Sequence, residues 1–457
     1  MTNNYEDVLC KIKPTDNQFK EIYDFSSKLM KIILDKASDM DLNVECRLVG
    51  SVAKKTCLIG KADVDIFMAF DLDYSEDELK SYGLDLGSYC ISVVGGKTEK
   101  RYASHPYMTG LIDGYEVDFV PCYKIEDASQ LKSAVDRTIL HTDYIQNHLE
   151  EGQEDEVLLL KKFMTSINTY GANYKVSGFS GYLCELLVLA YGSFQDVIES
   201  AAYKWGRRLE LDLEEYGTSS NFDDPLVFID PTDANRNVAA ALSTQKYNEF
   251  IVASRNFLRN PTIDYFRDRS IDVDRKYLHE GFNSRGTYCC VLSFDVPPLA
   301  SDVIYPQVNK SCKSFTRVSQ KYDFGVVKSS YYIRSDNKAS IILEYENRTL
   351  SNIVMCNGPI VRDRVNGDNF KRKNPDAYIL GDKWVVMKKR LYSCVDDMIN
   401  GLIMEYDMPQ LKLGKNVKKE LEKGYNLCDI HEHIDRGCGD DFEELYLYLN
   451  PYHRLVR

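Results

Sequence analysis

"GSVAKKTCLIGKADVDI", Gly50 to Ile66, sets a Gly-Ser pair on a short turn and then, after eleven residues, two aspartates with one hydrophobic residue between them. "VECRLVG", ending at Gly50, reads as a strand running into that turn, and "ADVDIFMAF", ending at Phe70, as a second strand. Side chains alternate along a strand, so Asp63 and Asp65 share one face while Val64 and Ile66 face a core on the other. Two carboxylates side by side repel, and a divalent cation between them relieves the repulsion. Hard oxygen ligands, completed by water and phosphate, suit Mg²⁺. "YEVDFVP", Tyr115 to Pro121, is a third strand with Pro121 closing it. Asp118 at its centre, between inward-facing Val117 and Phe119, offers a third ligand from a neighbouring strand.

The turn supplies the other half of a phosphate site. Gly50 lets the chain bend closely, and Ser51 offers a hydroxyl and backbone N–H groups at a helix start. Lys54, one turn later, adds positive charge. Together these parts describe a site for a nucleoside triphosphate held through metal, in which two ions clamp the attacking and leaving oxygens of an in-line displacement. A D-x-D alone is common on exposed strand faces. Its combination with Gly-Ser, a short helix and a distant strand aspartate is much rarer.

The chain has 457 residues, enough for two to four domains, and its 44% hydrophobic and 28% charged composition is that of an ordinary globular protein. The longest apolar runs, such as "LCELLVLAY" from Leu183, are too short to cross a bilayer, and "MTNNYEDVLCK" lacks the regions of a signal peptide. No membrane association and a cytoplasmic location are the expectation. Thirteen scattered cysteines without C-x-x-C read as reduced thiols, mostly buried. The net charge of −13 argues at first against a nucleic-acid partner, but Ser301 to Asn400 holds 17 Lys and Arg against 11 Asp and Glu. That segment, including "KRKNPDAYILGDKWVVMKKR" from Lys371, reads equally as an RNA-facing surface or a solvated face.

The fold class expected is α+β, in several domains. "NQFKEIYDFSSKLMKIILDKASDM" from Asn17 carries a helical apolar stripe ahead of the strands, giving a mixed α/β unit over residues 1–146. Residues 147–268 look mainly helical, with "EDEVLLLKKFMTSINTYG" as one helix stopped by Gly171 and "GYLCELLVLAYGSF" as another. Beyond Phe266 come β-rich "GTYCCVLSFDVPP", "FGVVKSSYYIR" and "ASIILEYE", then helical "SCVDDMINGLIMEY" and "VKKELEKGYN". "CDIHEHIDRGC" gathers Cys428, His431, His433 and Cys438, all zinc-type ligands, but the spacing fits no finger and a solvated surface is the better reading.

The strand, Gly-Ser turn and three aspartates, with "RYASHPYMTGLIDGYEVDFVPCY", "SAVDRTILHTDYI", "LLLKKFMTSINTYGANYKVSGFSGYLCELL" and "DPTDANRNVAAALS", resemble the nucleotidyltransferase superfamily of DNA polymerase beta and poly(A) polymerase. The closer resemblance is to the archaeal, class I CCA-adding tRNA nucleotidyltransferases, over nearly the whole chain. It implies a catalytic head with a mixed sheet (1–146), a helical nucleotide-binding neck (147–268), an α/β body (269–318 and 401–457) and a tRNA-binding tail (319–400). It also implies addition of C, C and A to the 3′ end of tRNA from CTP and ATP without a template, and a homodimer. In such enzymes the positions matching Asp63, Asp65 and Asp118 hold catalytic Mg²⁺. Those matching Ser51, Lys54, His141, Lys161 and Tyr170 contact the incoming nucleotide, with Arg236 near it. Lys54 departs from the usual arginine, keeping the charge and losing the rigid fork. Read alone, Lys161 is an exposed helix lysine, Tyr170 a core edge and His141 an ordinary partly buried histidine. A poly(A)- or oligoadenylate-synthesising relative, or a non-catalytic RNA-binding scaffold, are the competing functions.

Overall fold

The computed structural model describes residues 5–60, 63–102, 106–269, 271–404 and 411–457. Ala62, expected in the second strand, and Glu405 and Tyr406, expected in a late helix, lie outside them. The chain forms two compact units, one of residues 1–269 with His453–Arg457 and the other of Ser270–Tyr452. Among the described residues no helix is long and apolar enough to cross a membrane.

The first unit begins with α1 (Glu6–Ile12), α2 (Asp16–Asp39), β1 (Val44–Val49), the single turn α3 (Gly50–Ala53), β2 (Val64–Phe70), α4 (Glu76–Val93), β3 (Lys97–Tyr102), β4 (Pro106–Ile112), β5 (Tyr115–Tyr123) and α5 (Arg137–His148). The strands form one mixed sheet in the order β1-β2-β5-β4-β3, with β2 and β5 parallel at its centre. Thr15 and Ser75 open α2 and α4 with capping boxes, each satisfying otherwise orphaned N–H groups. Phe19, Ile22, Leu29 and Ile33 of α2 and Leu79, Leu86 and Cys90 of α4 pack on Val64, Ile66, Met68, Val117 and Phe119 of the sheet. Gly87 lets α4 settle there, because a Cβ would crowd Met108 Cβ at 3.0 Å and Phe119 Cβ at 3.1 Å. The opposite face carries a smaller apolar cluster of Val49, Phe67, Ala69, Val120 and Cys122.

Pro121 does not close β5, which continues to Tyr123. Pairing with β2 runs on through Pro121 to Tyr123, so the parallel neighbour carries β5 past the proline.

The unit continues with α6 (Gln153–Ser166), α7 (Gly181–Tyr191), α8 (Phe194–Tyr203), β6 (Leu209–Leu211), β7 (Leu226–Asp230), β8 (Asp233–Asn237) and α9 (Thr244–Arg259). The segment is helical around a core centred on Phe163, Phe194, Phe250 and Phe257, with a small three-stranded sheet β6-β7-β8 added. The first helix ends at Ser166, not Gly171. Asn168 takes the left-handed conformation (φ 58°) and the Thr169 N–H turns back to Met164 O at 2.8 Å. The next expected helix, over residues 181–194, is α7 and ends at Tyr191, where Gly192 (φ 98°) stops it before α8 begins at Phe194.

The second unit holds α10 (Arg275–Asn283), β9 (Tyr288–Asp295), α11 (Ser301–Lys321), β10 (Val326–Ile333), β11 (Lys338–Tyr345), β12 (Ile353–Ile360), α12 (Arg364–Lys373), β13 (Tyr378–Leu380), β14 (Lys383–Lys389), α13 (Val395–Met404), α14 (Lys415–Lys423), β15 (Asn426–Asp429), α15 (Ile430–Arg436) and α16 (Gly439–Leu449). An antiparallel sheet β10-β11-β9-β15 has α11, α13 and α14 on one face and α10, α15 and α16 on the other. A separate sheet, β12-β14-β13, packs against α12, where Phe370 meets Gly358 and Trp384 meets Gly367. The architecture is α+β with mixed and antiparallel sheets.

Candidate active site

The site in the first unit starts from register. β1, β2 and β5 place Val49 opposite Asp65, and Asp65 opposite Asp118. The two half-buried aspartates share the sheet face that carries Phe67 and Val120, away from α2 and α4. Asp63 is exposed, immediately before β2. The Thr109 hydroxyl on β4 donates to Asp118 Oδ1 at 2.6 Å. Burial, then the charges of Asp118 and Asp63, push Asp65 up to about 7 against the pull of Lys54. Among the described residues no three His, Cys, Asp or Glu side chains, Asp63, Asp65 and Asp118 included, are gathered closely enough to hold a metal ion without rearrangement.

The turn lies against these strands. Gly50 has φ 75°, and a Cβ there would run into the Asp65 carboxylate, with Cγ only 3.2 Å away. Tyr23 donates its hydroxyl to Val52 O at 3.1 Å and Gln146 its amide to Ala53 O at 2.8 Å. Ser51 therefore sits on a turn anchored from both α2 and α5.

Beyond the turn lie two ionic clusters. In the first, the Lys54 ammonium donates to Glu185 Oε2 at 2.5 Å and the Lys161 ammonium to Glu185 Oε1 at 2.9 Å. Thr56 joins them, donating its hydroxyl to Glu185 Oε1 at 2.6 Å and accepting from Lys161 at 3.0 Å. Lys161 is only 2% exposed, so the expectation of an exposed helix lysine does not hold. α6 is buried all round, and its ammonium survives there because a carboxylate meets it. Burial would raise Glu185, but the charges of Lys161 and Lys54 and the hydrogen bonds from Lys54 and Thr56 bring it down to about 2. A Cβ on Gly181 would sit 3.1 Å from the Tyr170 hydroxyl and 3.6 Å from Lys161 Nζ, so these two groups flank the start of α7.

The second cluster centres on fully buried Asp230 at the end of β7. His141 Nε2 lies 2.8 Å from Asp230 Oδ2, Arg236 donates to the same oxygen at 2.7 Å, and the Tyr182 hydroxyl donates to Oδ1 at 3.2 Å. Burial works against ionisation of Asp230. The His141 hydrogen bond, the Thr232 N–H and the Arg236 guanidinium overcome it and hold the carboxyl far below its usual range. Burial lowers His141 against the pull of Asp230, and an acceptor-only carboxylate assigns a proton to Nε2. The His141 ring stacks on Tyr182 at 4.0 Å, and Lys54 Nζ stands 5.7 Å from the same ring, joining the two clusters.

The fold thus pairs Asp65 with Asp118, Lys54 with Lys161, and His141 with Arg236. Glu185, Asp230, Tyr182 and Thr56 were not singled out from sequence. Glu185 had a signal: it is the one charge inside the apolar run "LCELLVLAY", and such a charge requires a partner. In the second unit the cysteine-histidine group does not converge. His431 Nδ1 meets His279 Nδ1 at 2.7 Å, His433 Nε2 meets the Tyr332 hydroxyl at 2.8 Å, Cys428 is buried and Cys438 is exposed.

Three family models match in sequence: a nucleotidyltransferase domain over residues 28–141, the second domain of tRNA nucleotidyltransferase over 155–267, and the C-terminal domain of the CCA-adding enzyme over 285–429. The CCA-adding enzyme of Methanothermobacter thermautotrophicus is 42% identical over 457 residues, covering 100% of both chains. That of Methanocaldococcus jannaschii is 36% identical, covering 90% of this chain and 94% of the other, and that of Methanosarcina acetivorans 34%, covering 93% of each. With likeness running from end to end, the chain belongs to the CCA-adding enzyme family of nucleotidyltransferases.

Proposed function

We propose that the protein adds C, C and A to the 3′ end of tRNA, using CTP and ATP without a nucleic-acid template and releasing pyrophosphate. The observation that carries this reading is the direct opposition of Asp65 and Asp118 beside the Gly50–Ser51 turn, in a chain alike in full length to CCA-adding enzymes.

Nucleotidyltransferases of this family use divalent metal, and we take the ion to be Mg²⁺, held by Asp63, Asp65 and Asp118. The donors fit: all are carboxylate oxygens, and the register brings like charges together that a hard cation would relieve. When bound, the metal supplies Lewis-acid activation of the RNA hydroxyl and stabilises the departing pyrophosphate. The chain's own groups do the rest. Backbone N–H groups and the hydroxyl of Ser51 receive phosphate oxygens at the turn. Lys54 and Lys161 offset triphosphate charge from one side. Tyr170, His141 and Arg236 orient the nucleotide, with His141 and Arg236 kept in place by Asp230. Catalysis then rests on positioning and electrostatics.

Residues 1–146 act as catalytic head and 147–268 as nucleotide-binding neck. Residues 269–318 with 401–457 form the body, and 319–400 a tail that holds tRNA. The protein works in the cytoplasm as a homodimer. Incubating purified protein and divalent cation with a transcript ending at the discriminator base, with CTP alone, ATP alone or both, tests the reading. A short product ending in CCA is expected. An A tail would instead mark a poly(A)-type enzyme, and no incorporation a non-catalytic scaffold.

A further inference from the structure

We infer that Glu185 is a positioning residue for nucleotide binding, aiming the ammonium groups of Lys54 and Lys161 at the triphosphate. This rests on the nucleotide-binding role proposed above for the two lysines. Glu185 is 1% exposed on α7, surrounded along that helix by Leu183, Leu186, Leu187 and Val188. Both of its oxygens are engaged: Oε2 by Lys54, Oε1 by Lys161 and Thr56.

The charge count distinguishes this cluster from a structural ion pair. One buried carboxylate needs one cation, yet here it holds two, Lys54 from the segment after the turn and Lys161 from α6. Asp65 on β2 also acts on Lys54, and the proposed function gives its charge to the metal. A surplus positive charge under a phosphate-binding turn is costly for the empty protein and favourable once a polyanion enters. Fold stability alone would be better served by a single lysine, or by none.

Lysine chemistry explains why a carboxylate is needed. Lysine lacks the rigid fork of arginine, and its ammonium rides on a flexible four-carbon stem. Its direction is set by whatever grips its head. At Lys54 that grip is Glu185, with the Tyr182 ring alongside at 5.7 Å. At Lys161 it is Glu185 with the carbonyl and hydroxyl of Thr56, each at 3.0 Å. Burial weakens the hold of Lys54 on its proton, and the Glu185 charge opposes that loss. Glu185 therefore keeps the lysine both charged and aimed.

The test is steady-state incorporation by the full-length protein, varying CTP, ATP and transcript separately. Glu185→Gln keeps shape and hydrogen-bonding oxygen while removing the charge. KM for both nucleotides should rise about tenfold, with kcat within about twofold and transcript KM unchanged, as expected when ground-state and transition-state binding are lost equally. Glu185→Asp, which keeps the charge, should recover part of the loss. If Glu185→Gln lowers the melting temperature or the active fraction while nucleotide KM stays at the wild-type value, Glu185 is only a structural pin and the inference is overturned. Should Glu185→Gln not fold, Thr56→Val removes the hydroxyl bridge without changing any charge, and about a threefold rise in nucleotide KM is expected; none would equally overturn it. A wild-type protein that never extends the transcript would refute the proposed function instead, so the two failures are distinct.

Discussion

Asp65 and Asp118 stand directly opposite each other in the parallel pairing of β2 with β5, on the sheet face away from the helices that cover its core. Backbone register thus holds two like charges side by side, and burial with that repulsion pushes Asp65 up to about 7 from a usual 3.8. The fold is strained electrostatically at the place where the proposed function puts the metal.

Metal-free stability should therefore depend on pH in a definite direction. A carboxyl whose folded pKa is raised holds its proton better folded than unfolded. Its favourable contribution is complete below about 3.8 and is lost as pH climbs through about 7. In EDTA, Asp65→Asn should raise the melting temperature by roughly a few degrees at pH 8 and hardly at all near pH 4. The same variant should show no nucleotide incorporation while still binding tRNA. Thermal denaturation at both pH values, beside an incorporation assay, checks both halves. A wild-type melting temperature equal to that of the variant at pH 8 would contradict the repulsion.

Gly50→Ala should damage catalysis more than folding. The new methyl group meets the Asp65 carboxylate, and alanine must accept φ near 75°, which L-residues with a Cβ disfavour by about 1 kcal/mol. The carboxylate is the softer partner and will move. A shift of about 1 Å at the proposed reacting centre lowers the rate on the order of a hundredfold. Single-turnover incorporation by a variant with an unchanged far-UV spectrum is the measurement.

Asp230→Asn tests the second cluster. The amide brings its own N–H groups to a position where His141, Arg236 and Tyr182 all approach the carboxylate, and at least one donor loses its acceptor. Breaking a buried charge-assisted network of this kind costs about 3 kcal/mol. The melting temperature should fall, and kcat/KM for both nucleotides should drop by roughly one to two orders of magnitude. A variant with unaltered kinetics would remove His141 and Arg236 from the nucleotide site.

How far the sequence discloses this molecule depends on the kind of interaction. Alternation along "ADVDIFMAF" and "YEVDFVP" reveals which side chains share a face, because a strand has a fixed period of two. It cannot reveal that Asp65 and Asp118 are level, since register between strands 53 residues apart is a tertiary property. The α+β class is legible from patterning, as are β1, β2, β5, β9, β10 and β11, while the other described strands, β12 to β15 among them, are not read from it. Helix ends are less legible, because Asn168 in the left-handed conformation ends α6 before Gly171 can, and Gly192 ends α7 short of Phe194. Lys161 reads as exposed because helix periodicity gives no hint of burial on every side, and its partner Glu185 lies 24 residues on. The charged residue inside an apolar run is the sign that was there to be used.

On β14, Lys383, Lys388 and Lys389 are exposed, and Ile353, Met355, Met387 and Leu380 on the same small sheet leave apolar side chains open to solvent. The basic residues of this segment stand out in a chain whose net charge is −13. A surface of lysines interleaved with apolar groups suits RNA, with phosphates meeting the ammonium groups and nucleosides the apolar patches. Replacing Lys383, Lys388 and Lys389 together by alanine should weaken tRNA binding. It should also flatten the plot of log affinity against log salt by about one for each phosphate that the variant no longer neutralises. Equal salt dependence for wild type and the triple variant would leave these lysines as an ordinary solvated face.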